Sequence, residues 1–272
     1  MSILAGAEPF HTDGGEVGAV LCHGFTGSPN SMRPWARYLA DRGYSVRLPR
    51  LPGHGTRWQD ANLTRWPDWY GEVERAFDEL AGRCRTVFVC GLSMGGTLAL
   101  RLAETRGDAV AGMVLVNPSV TSERFAAKYL LPLLGRVLPA WTSIGNDIKQ
   151  PGVDEVAYGK VPLKAALSLR ELWTVTRADL PRIGQPLLLF RSRVDHVVEP
   201  VNASIVRAEV ASTDVTERVL ENSYHVATLD NDAPEIFLGS VEWMRGHSPA
   251  RSDPDNASGP ANLTPSDPAT KG

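Results

Sequence analysis

The sequence predicts an α/β fold with a mostly parallel central sheet, helices on both faces and one inserted helical cap. Short apolar runs alternate with segments of helical periodicity over most of the 272 residues, and this order of elements is typical of a parallel sheet covered by helices. Several runs are apolar at every position, as expected of strands buried on both faces. The alternation stops once, after Asn117-Pro118, and this interruption indicates the cap.

The first part of the predicted sheet comes from four apolar runs bounded by glycine, proline or polar residues. These predicted strands are Val17–Cys22, Tyr44–Leu48, Thr86–Cys90 and Gly112–Val116. Between them, apolar residues recur at helical spacing. Two predicted helices carry Met32, Trp35 and Leu39 before Gly43, and Trp69, Val73, Phe77 and Leu80 between a capping Asp68 and Gly82.

The predicted cap covers residues 119–166 and separates a first core segment (1–118) from a second one (167–247). No strand run is found from Ser122 to about Ala166. An apolar stripe at helical spacing instead predicts a helix, and packing of this helix onto the core is the favoured interpretation. The stripe consists of Phe125, Tyr129, Leu130, Leu133, Leu134 and Val137.

The second core segment resumes the alternation of helices and strands. Strands are predicted at Pro186–Phe190 and Thr216–Leu220, and helices at Leu163–Thr176 and Val201–Val210. The last helix opens with Asp232-Ala233-Pro234-Glu235, a capping sequence with proline in the first turn. Residues 248–272 contain almost no apolar side chains to bury, so this tail is predicted to be disordered.

The composition excludes several classes of protein. A net charge of -3 provides no basic surplus for nucleic acid, and no apolar run approaches the ~20 residues that cross a bilayer. The first ten residues do not resemble a signal peptide. The three cysteines, Cys22, Cys84 and Cys90, are expected to be reduced core residues. We therefore expect a cytoplasmic protein.

The segment Gly91-Leu92-Ser93-Met94-Gly95 follows a predicted strand and precedes a helical pattern that continues to about Arg106. G-x-S-x-G in this setting indicates a turn that exposes a nucleophilic serine at the end of a strand. The turn must be tight, so we expect a strained backbone at Ser93 and no room for side chains at Gly91 and Gly95. The strand–turn–helix setting disfavours an ordinary glycine-rich turn.

A serine hydroxyl becomes a nucleophile only when a base accepts its proton and an acid orients that base. With this turn, the expected chain order is serine, acid, histidine. Asp195 follows the predicted strand Pro186–Phe190, and His225 follows Thr216–Leu220, so both are expected at the same sheet edge as Ser93. Rivals for the acid are Glu199, Glu221 and Asp230.

The tetrahedral intermediate of such a reaction needs two N–H donors aimed at its oxygen. One comes from the residue after the nucleophile, Met94, and the other from the loop after an early strand. That loop is His23-Gly24-Phe25-Thr26-Gly27, so the second donor is predicted to be the N–H of Phe25. His23 is expected to hold this loop, and His54 to be structural.

Together these motifs resemble the α/β-hydrolase carboxylesterases and monoacylglycerol lipases of bacteria. The resemblance runs from about Val17 to Arg245 and rests on five segments. They are residues 23–27, Gly53-His54-Gly55, Gly91-Leu92-Ser93-Met94-Gly95-Gly96, Asp195-His196-Val197-Val198 and Ser223-Tyr224-His225. It extends into the cap at Ser143–Lys149 and Asp154–Tyr158.

The resemblance implies an α/β-hydrolase fold and hydrolysis of a lipid ester with one acyl chain, with no cofactor and no metal. In that family a cap isoleucine and a cap glutamate help to hold the glycerol moiety, and Ile144 and Glu155 occupy these positions. It also leaves open that the apolar stripe of the cap lines a tunnel for an acyl chain or makes a transient contact with a lipid surface.

Two alternatives remain. The first is a broad carboxylesterase without a preference for glycerol esters. The second, from another class, is a ligand-binding sensor on a hydrolase fold; such proteins often lack a triad member, whereas this chain retains Ser93, Asp195 and His225. Dehalogenases and epoxide hydrolases carry aspartate in place of Ser93, which argues against both.

Overall fold

The computed structural model of the chain describes residues 2–124, 129–135, 137–142 and 145–248. Strands within these ranges are β1 (Phe10–Thr12), β2 (Val17–Cys22), β3 (Ser45–Leu48), β4 (Thr86–Leu92), β5 (Gly112–Val116), β6 (Ala140–Thr142), β7 (Lys160–Pro162), β8 (Leu187–Ser192) and β9 (Val215–Leu220). The α-helices are α1 (Arg33–Ala40), α2 (Trp58–Ala61), α3 (Trp66–Ala81), α4 (Met94–Arg106), α5 (Leu131–Leu134), α6 (Leu163–Asp179), α7 (Val201–Glu209) and α8 (Ala233–Gly246).

The main sheet has seven strands in the order β1-β3-β2-β4-β5-β8-β9. All neighbouring strands are parallel except β1, which pairs antiparallel with β3. The prediction of a mostly parallel central sheet is therefore confirmed. Strand β4 lies in the middle of the sheet, so the turn that follows it is flanked by the carboxyl ends of β2 and β5.

Helices cover both faces of the sheet, and each face has its own apolar core. On one face, Trp69 and Phe77 of α3 pack with residues of α4, α6 and α7. On the other face, Trp35 of α1 stacks against Phe237 of α8 with ring centroids 6.4 Å apart. Successive residues of the central strands alternate between these two cores, which explains why the runs are apolar at every position.

The prediction that no strand lies between Ser122 and about Ala166 is wrong. Strands β6 and β7 form a separate antiparallel pair within this segment, with Ala140 opposite Pro162. Each strand has three residues, which is too short for an alternating pattern to be recognised. Of the predicted apolar stripe, Leu133 and Leu134 lie in the four-residue helix α5, while Phe125 lies outside the described residues.

Two further details differ from the predictions. The edge strand β1 was not predicted, because three residues carry too little pattern. Asp68 is not the residue before α3 but its third residue, and its carboxylate accepts a hydrogen bond from the N–H of Arg65 at 2.8 Å. Pro67 explains the earlier start, since proline is favoured in the first turn of a helix.

Of the predicted tail, residues 249–272 lie outside the described residues. The boundaries of the cap at 119 and 166 stay a prediction. Among the described helices, none combines the length and apolar character that crossing a bilayer requires.

Candidate active site

The turn between β4 and α4 carries Ser93 in a strained backbone conformation. Its φ and ψ are 57° and −120°, a region that residues with a side chain rarely adopt. The N–H of Ser93 donates to the carbonyl of Val116 at 3.0 Å, so the end of β5 supports the turn. Helix α4 begins directly afterwards at Met94, and the positive end of its dipole therefore lies beside the serine.

The predicted lack of space at the two flanking glycines is confirmed. A Cβ atom at Gly91 would overlap the carbonyl of Gly95, and a Cβ atom at Gly95 would overlap the carbonyl of Cys22 at the end of β2. These neighbours are backbone atoms and cannot move aside. The two glycines are therefore what allows the turn to approach the neighbouring strand.

The candidate acid and base meet across the loops that follow β8 and β9. Nδ1 of His225 lies 2.8 Å from Oδ2 of Asp195. The other oxygen, Oδ1, accepts hydrogen bonds from the N–H groups of Val197 and Val198 at 2.8 and 2.7 Å. Because the carboxylate can only accept, the proton of the imidazole resides on Nδ1, and Nε2 is left to accept a proton.

Burial and charge shift the pKa of both groups. Burial alone would raise the pKa of Asp195, but the neighbouring His225 and the two backbone N–H groups hold it below its usual value. Burial would lower the pKa of His225, but Asp195, Glu155 and Asp147 together raise it above its usual value. The pair thus favours a charged carboxylate behind the imidazole, which would stabilise an imidazolium in a transition state.

The three rival acids have other partners. Glu199 accepts hydrogen bonds from the hydroxyl of Ser122 and the N–H of Glu123. Glu221 forms an exposed ion pair with Arg193. Asp230 accepts from the N–H groups of Lys149, Gln150 and Tyr224. Asp195 is therefore the carboxylate in position to orient His225.

His23 holds the loop after β2, as predicted. Its Nε2 accepts a hydrogen bond from the N–H of Leu51 at 3.2 Å, so Nδ1 carries the proton and donates to the carbonyl of Gly24 at 2.9 Å. Burial, with a smaller contribution from His54, lowers the pKa of His23 to about 3. The neutral ring fixes the loop that carries Phe25.

His54 is buried in a cluster of aromatic rings behind the same loop. Its ring centroid lies 5.4 Å from that of Trp69, 6.0 Å from that of Phe25 and 6.5 Å from that of Tyr158. Burial lowers the pKa of His54 to about 4, so the ring is neutral. These contacts agree with a structural role.

Ser93 and His225 line one cavity of about 470 Å³. Gly24 approaches the serine so closely that a Cβ atom at this position would lie 3.4 Å from Cβ of Ser93. The N–H of Met94 is the first of α4 and has no acceptor within the helix. Apolar lining residues come from α5, α6 and the cap strands, among them Leu130, Leu131, Leu134, Trp141, Val161, Leu163, Leu169 and Trp173.

Glu155 also lines this cavity, next to the loop after β2. Its Oε1 accepts a hydrogen bond from the N–H of Asn146 at 3.0 Å, and the N–H of Glu155 donates to the side-chain oxygen of Asn146 at 3.0 Å. Burial raises its pKa, although the Asn146 N–H and His225 oppose this. Ile144, the other predicted glycerol contact, lies outside the described residues.

Sequence reasoning missed Asn117 and Asp147, which support the histidine loop. The side-chain amide of Asn117 donates to the carbonyl of His225 at 2.8 Å and to the hydroxyl of Ser192 at 3.0 Å. A carboxylate oxygen of Asp147 accepts from the N–H of His225 at 3.2 Å. Asn117 directly follows the predicted strand Gly112–Val116, where the alternation of strands and helices stops. This position is the one feature of the sequence that could have indicated its role.

The buried thiols do not compete as nucleophiles. Cys22, Cys84 and Cys90 are free and buried, and burial raises the pKa of Cys22 and Cys90. Among the described residues, no group of three or more histidine, cysteine, aspartate or glutamate side chains is arranged to hold a metal ion.

The mostly parallel sheet, the strained serine turn after its central strand and the paired aspartate and histidine on later loops define an α/β-hydrolase. The chain belongs to the family described as "Serine aminopeptidase, S33", whose model matches residues 18–232. The fold and the family resemblance predicted from the motifs are thus confirmed.

Three relatives indicate where the chain lies among these hydrolases. It is 47% identical over 247 residues to the thermostable monoacylglycerol lipase of Bacillus sp. (strain H-257), covering 90% of this chain and 97% of that protein. It is 27% identical over 243 residues to the carboxylesterase of Bacillus subtilis (strain 168), covering 87% of this chain and 98% of that protein. A solved structure described under "LipS and LipT, two metagenome-derived lipolytic enzymes" has a TM-score of 0.87 at 39% identity, covering 90% of this chain and 100% of its own.

Proposed function

We propose that this chain is a carboxylic ester hydrolase that cleaves monoacylglycerols to glycerol and a free fatty acid through an acyl-enzyme. The observation that carries the proposal is the lining of the cavity at Ser93. It combines many apolar side chains with a small polar region that includes Glu155, which suits one acyl chain and one polyol. The high identity with a thermostable monoacylglycerol lipase supports this choice.

The proposed reaction has two halves. The hydroxyl oxygen of Ser93 attacks the ester carbonyl while Nε2 of His225 takes its proton. The N–H groups of Phe25 and Met94 stabilise the oxyanion, and Asp195 stabilises the imidazolium. The imidazolium then protonates the departing glycerol oxygen. Water, deprotonated by the same imidazole, hydrolyses the acyl-enzyme and releases the fatty acid.

Substrate selectivity tests the monoacylglycerol assignment through Glu155. We expect Glu155→Ala to lower kcat/KM for monoacylglycerols by about tenfold or more, because hydrogen bonds to a charged group contribute roughly 1.5–3 kcal/mol. The methyl ester of the same fatty acid, which offers no hydroxyls, should be hydrolysed as by the wild type on the pH plateau, where the effect of Glu155 on the pKa of His225 does not change the rate. The measurement is product formation from both substrates at equal chain length.

Asp154→Asn is the matched control, since Asp154 is the adjacent acid but is exposed and contacts the N–H of Val156. Equal losses on both substrates in Glu155→Ala, or wild-type rates on both, would instead support a broad carboxylesterase. The likeness to the Bacillus subtilis carboxylesterase makes this the second candidate.

We also propose that the cap contacts lipid surfaces while the core lies in the cytoplasm. Large apolar side chains are exposed on and beside the cap: Leu63, Tyr129, Leu130, Leu133, Val137, Leu138 and Trp141. Leu130 and Trp141 also line the cavity. An exposed apolar patch that continues into a lipid-ester site is suited to extracting substrate from an interface.

Vesicle binding tests the lipid contact. We expect the double variant Leu133→Ser and Val137→Ser to bind phosphatidylcholine vesicles about tenfold more weakly than the wild type, because two exposed apolar side chains are lost from the patch. Leu238→Ser removes an exposed leucine from α8, 50% exposed against 66% for Leu133 and 75% for Val137, and should bind normally. Equal binding by all three proteins in a sedimentation assay would argue against contact through the cap.

A further inference from the structure

We propose that Asp147 is a positioning residue: it sets the location of the His225 loop, so that the position of this loop depends on the position of the cap. The inference rests on the proposed hydrolase function and adds a residue that lines the same cavity and contacts the backbone of His225. It concerns the strap, which we define as residues 145–150. The strap runs from the cap across the two loops that carry Asp195 and His225.

One carboxylate of the strap contacts both of these loops. Oδ2 of Asp147 accepts hydrogen bonds from the N–H of His225 at 3.2 Å and from the N–H of His196 at 3.1 Å. Oδ1 lies 2.8 Å from Nδ1 of His196. His196 directly follows Asp195. The carboxylate of Asp147 therefore joins the backbone of His225 to the backbone beside Asp195.

The main chain of the strap adds a further link. The carbonyl of Asp147 accepts a hydrogen bond from the N–H of Val226 at 3.1 Å. Two successive N–H groups of the histidine loop, those of His225 and Val226, are therefore satisfied by one strap residue. A shift of the strap would leave both donors without acceptors, so the loop and the strap move together or not at all.

Asp230 joins the same two segments through a second carboxylate. Its carboxylate, on the chain that follows the histidine loop, accepts from the N–H groups of Lys149 and Gln150 at 2.7 and 3.0 Å and from that of Tyr224 at 2.9 Å. Asp147 of the strap thus accepts a hydrogen bond from the histidine loop, and Asp230 accepts hydrogen bonds from the strap. The strap and the histidine loop are therefore held together by hydrogen bonds that run in both directions.

The environment of Asp147 requires these donors. Its side chain is 9% exposed, whereas that of His196 is 51% exposed. Among the residues that the structure describes, Asp147 has no lysine or arginine within ion-pair distance, and His196 is its cationic partner when protonated. A carboxylate buried to this extent is stable only while its hydrogen bonds are made, so any break between cap and loop is costly.

The charge of Asp147 also acts on the base. The groups that face His225 are Asp195 at 2.8 Å, Glu155 of the cap and Asp147 of the strap, and all three raise the pKa of His225 against the effect of burial. Removing the charge of Asp147 should lower this pKa. Because His225 accepts a proton only when neutral, the acid limb of kcat/KM should then move to lower pH.

The experiment compares Asp147→Ala and Asp147→Asn with the wild type on the water-soluble ester p-nitrophenyl butyrate. We expect Asp147→Ala to lower kcat by roughly 100-fold with little change in KM, since displacement of a catalytic group by about 1 Å costs on this order. Asp147→Asn keeps one oxygen acceptor and should lose less in kcat. Its acid limb of kcat/KM should still lie at lower pH than that of the wild type.

Asp214→Asn is the matched control. Asp214 makes a contact of the same kind, 2.9 Å from Nε2 of His247, at the start of the sheet's last strand. This variant should keep the wild-type kcat and acid limb. Thermal unfolding of each variant shows whether it is folded at the assay temperature.

The positioning role is overturned if both Asp147 variants stay within about twofold of Asp214→Asn in kcat and keep the wild-type acid limb. It is also overturned if Asp147→Ala loses activity only in proportion to its unfolded fraction while Asp147→Asn is unchanged in rate and pH profile. Failure of the proposed function looks different, because the wild type itself would then fail to turn over the ester or Ser93→Ala would turn it over equally well.

Discussion

Ser93→Ala is expected to lower kcat for ester hydrolysis by about 10⁵- to 10⁶-fold, the loss found when the nucleophile of a triad is removed. Without the hydroxyl oxygen no acyl-enzyme forms, and His225 has no proton to accept. The fold should remain, because alanine keeps the Cβ atom and the positive φ of 57° is no worse for alanine than for serine. The measurement is kcat on a monoacylglycerol together with the thermal unfolding temperature.

Ser240→Ala is a suitable control for Ser93→Ala. Ser240 is also buried, but its hydroxyl donates to the carbonyl of Ile236 within α8. It should leave kcat unchanged. Turnover by Ser93→Ala at the wild-type rate would end the assignment of the nucleophile. Tight retention of a lipid by the wild type without repeated turnover would favour a ligand-binding sensor.

Asp195→Asn is expected to lower kcat by up to about 10⁴-fold. The N–H groups of Val197 and Val198 donate to Oδ1 of Asp195, and in the variant they would hold the amide oxygen there. The amide NH₂ would then point at Nδ1 of His225. Two donors cannot face each other, so the imidazole proton would move to Nε2, where it blocks proton transfer from Ser93.

Glu221→Gln is the control for Asp195→Asn. It tests the rival acid Glu221 and, like Asp195→Asn, replaces a carboxylate by the corresponding amide. Its carboxylate pairs with Arg193 at the surface, and such exposed pairs contribute little. We expect wild-type kcat in this variant. A large loss in Glu221→Gln combined with a small loss in Asp195→Asn would reverse the assignment. The comparison requires rates on the pH plateau, where His225 is neutral in the wild type.

The serine turn shows what a local pattern can predict. Gly91 and Gly95 are needed because backbone atoms occupy the space of a side chain. These are atoms of Gly95 beside Gly91, and atoms of Cys22 on the neighbouring strand beside Gly95. This constraint is steric and local, so the motif itself carries the signal. The order of Ser93, Asp195 and His225 along the chain likewise follows from strands that end at one edge of the sheet.

The short cap strands and the support of the histidine loop could not be predicted in this way. Strands β6 and β7 have three residues each and are paired across the cap. Asn117 contacts the carbonyl of His225 more than 100 residues away in sequence, and Asp147 contacts its N–H from 78 residues away. A single asparagine or aspartate looks the same in the sequence whether it is solvated or holds a distant backbone group.

The sequence by itself determined the parallel sheet, the serine turn and the order in which Ser93, a carboxylate and His225 follow one another, because each depends on apolar periodicity or on backbone sterics within a few residues. Only the tertiary structure decided which carboxylate faces His225, how His23 holds the loop after β2 and how the strap is joined to the histidine loop. These features are hydrogen bonds between segments distant in the chain. Their partners are selected by the packing of the whole sheet, which no local pattern records.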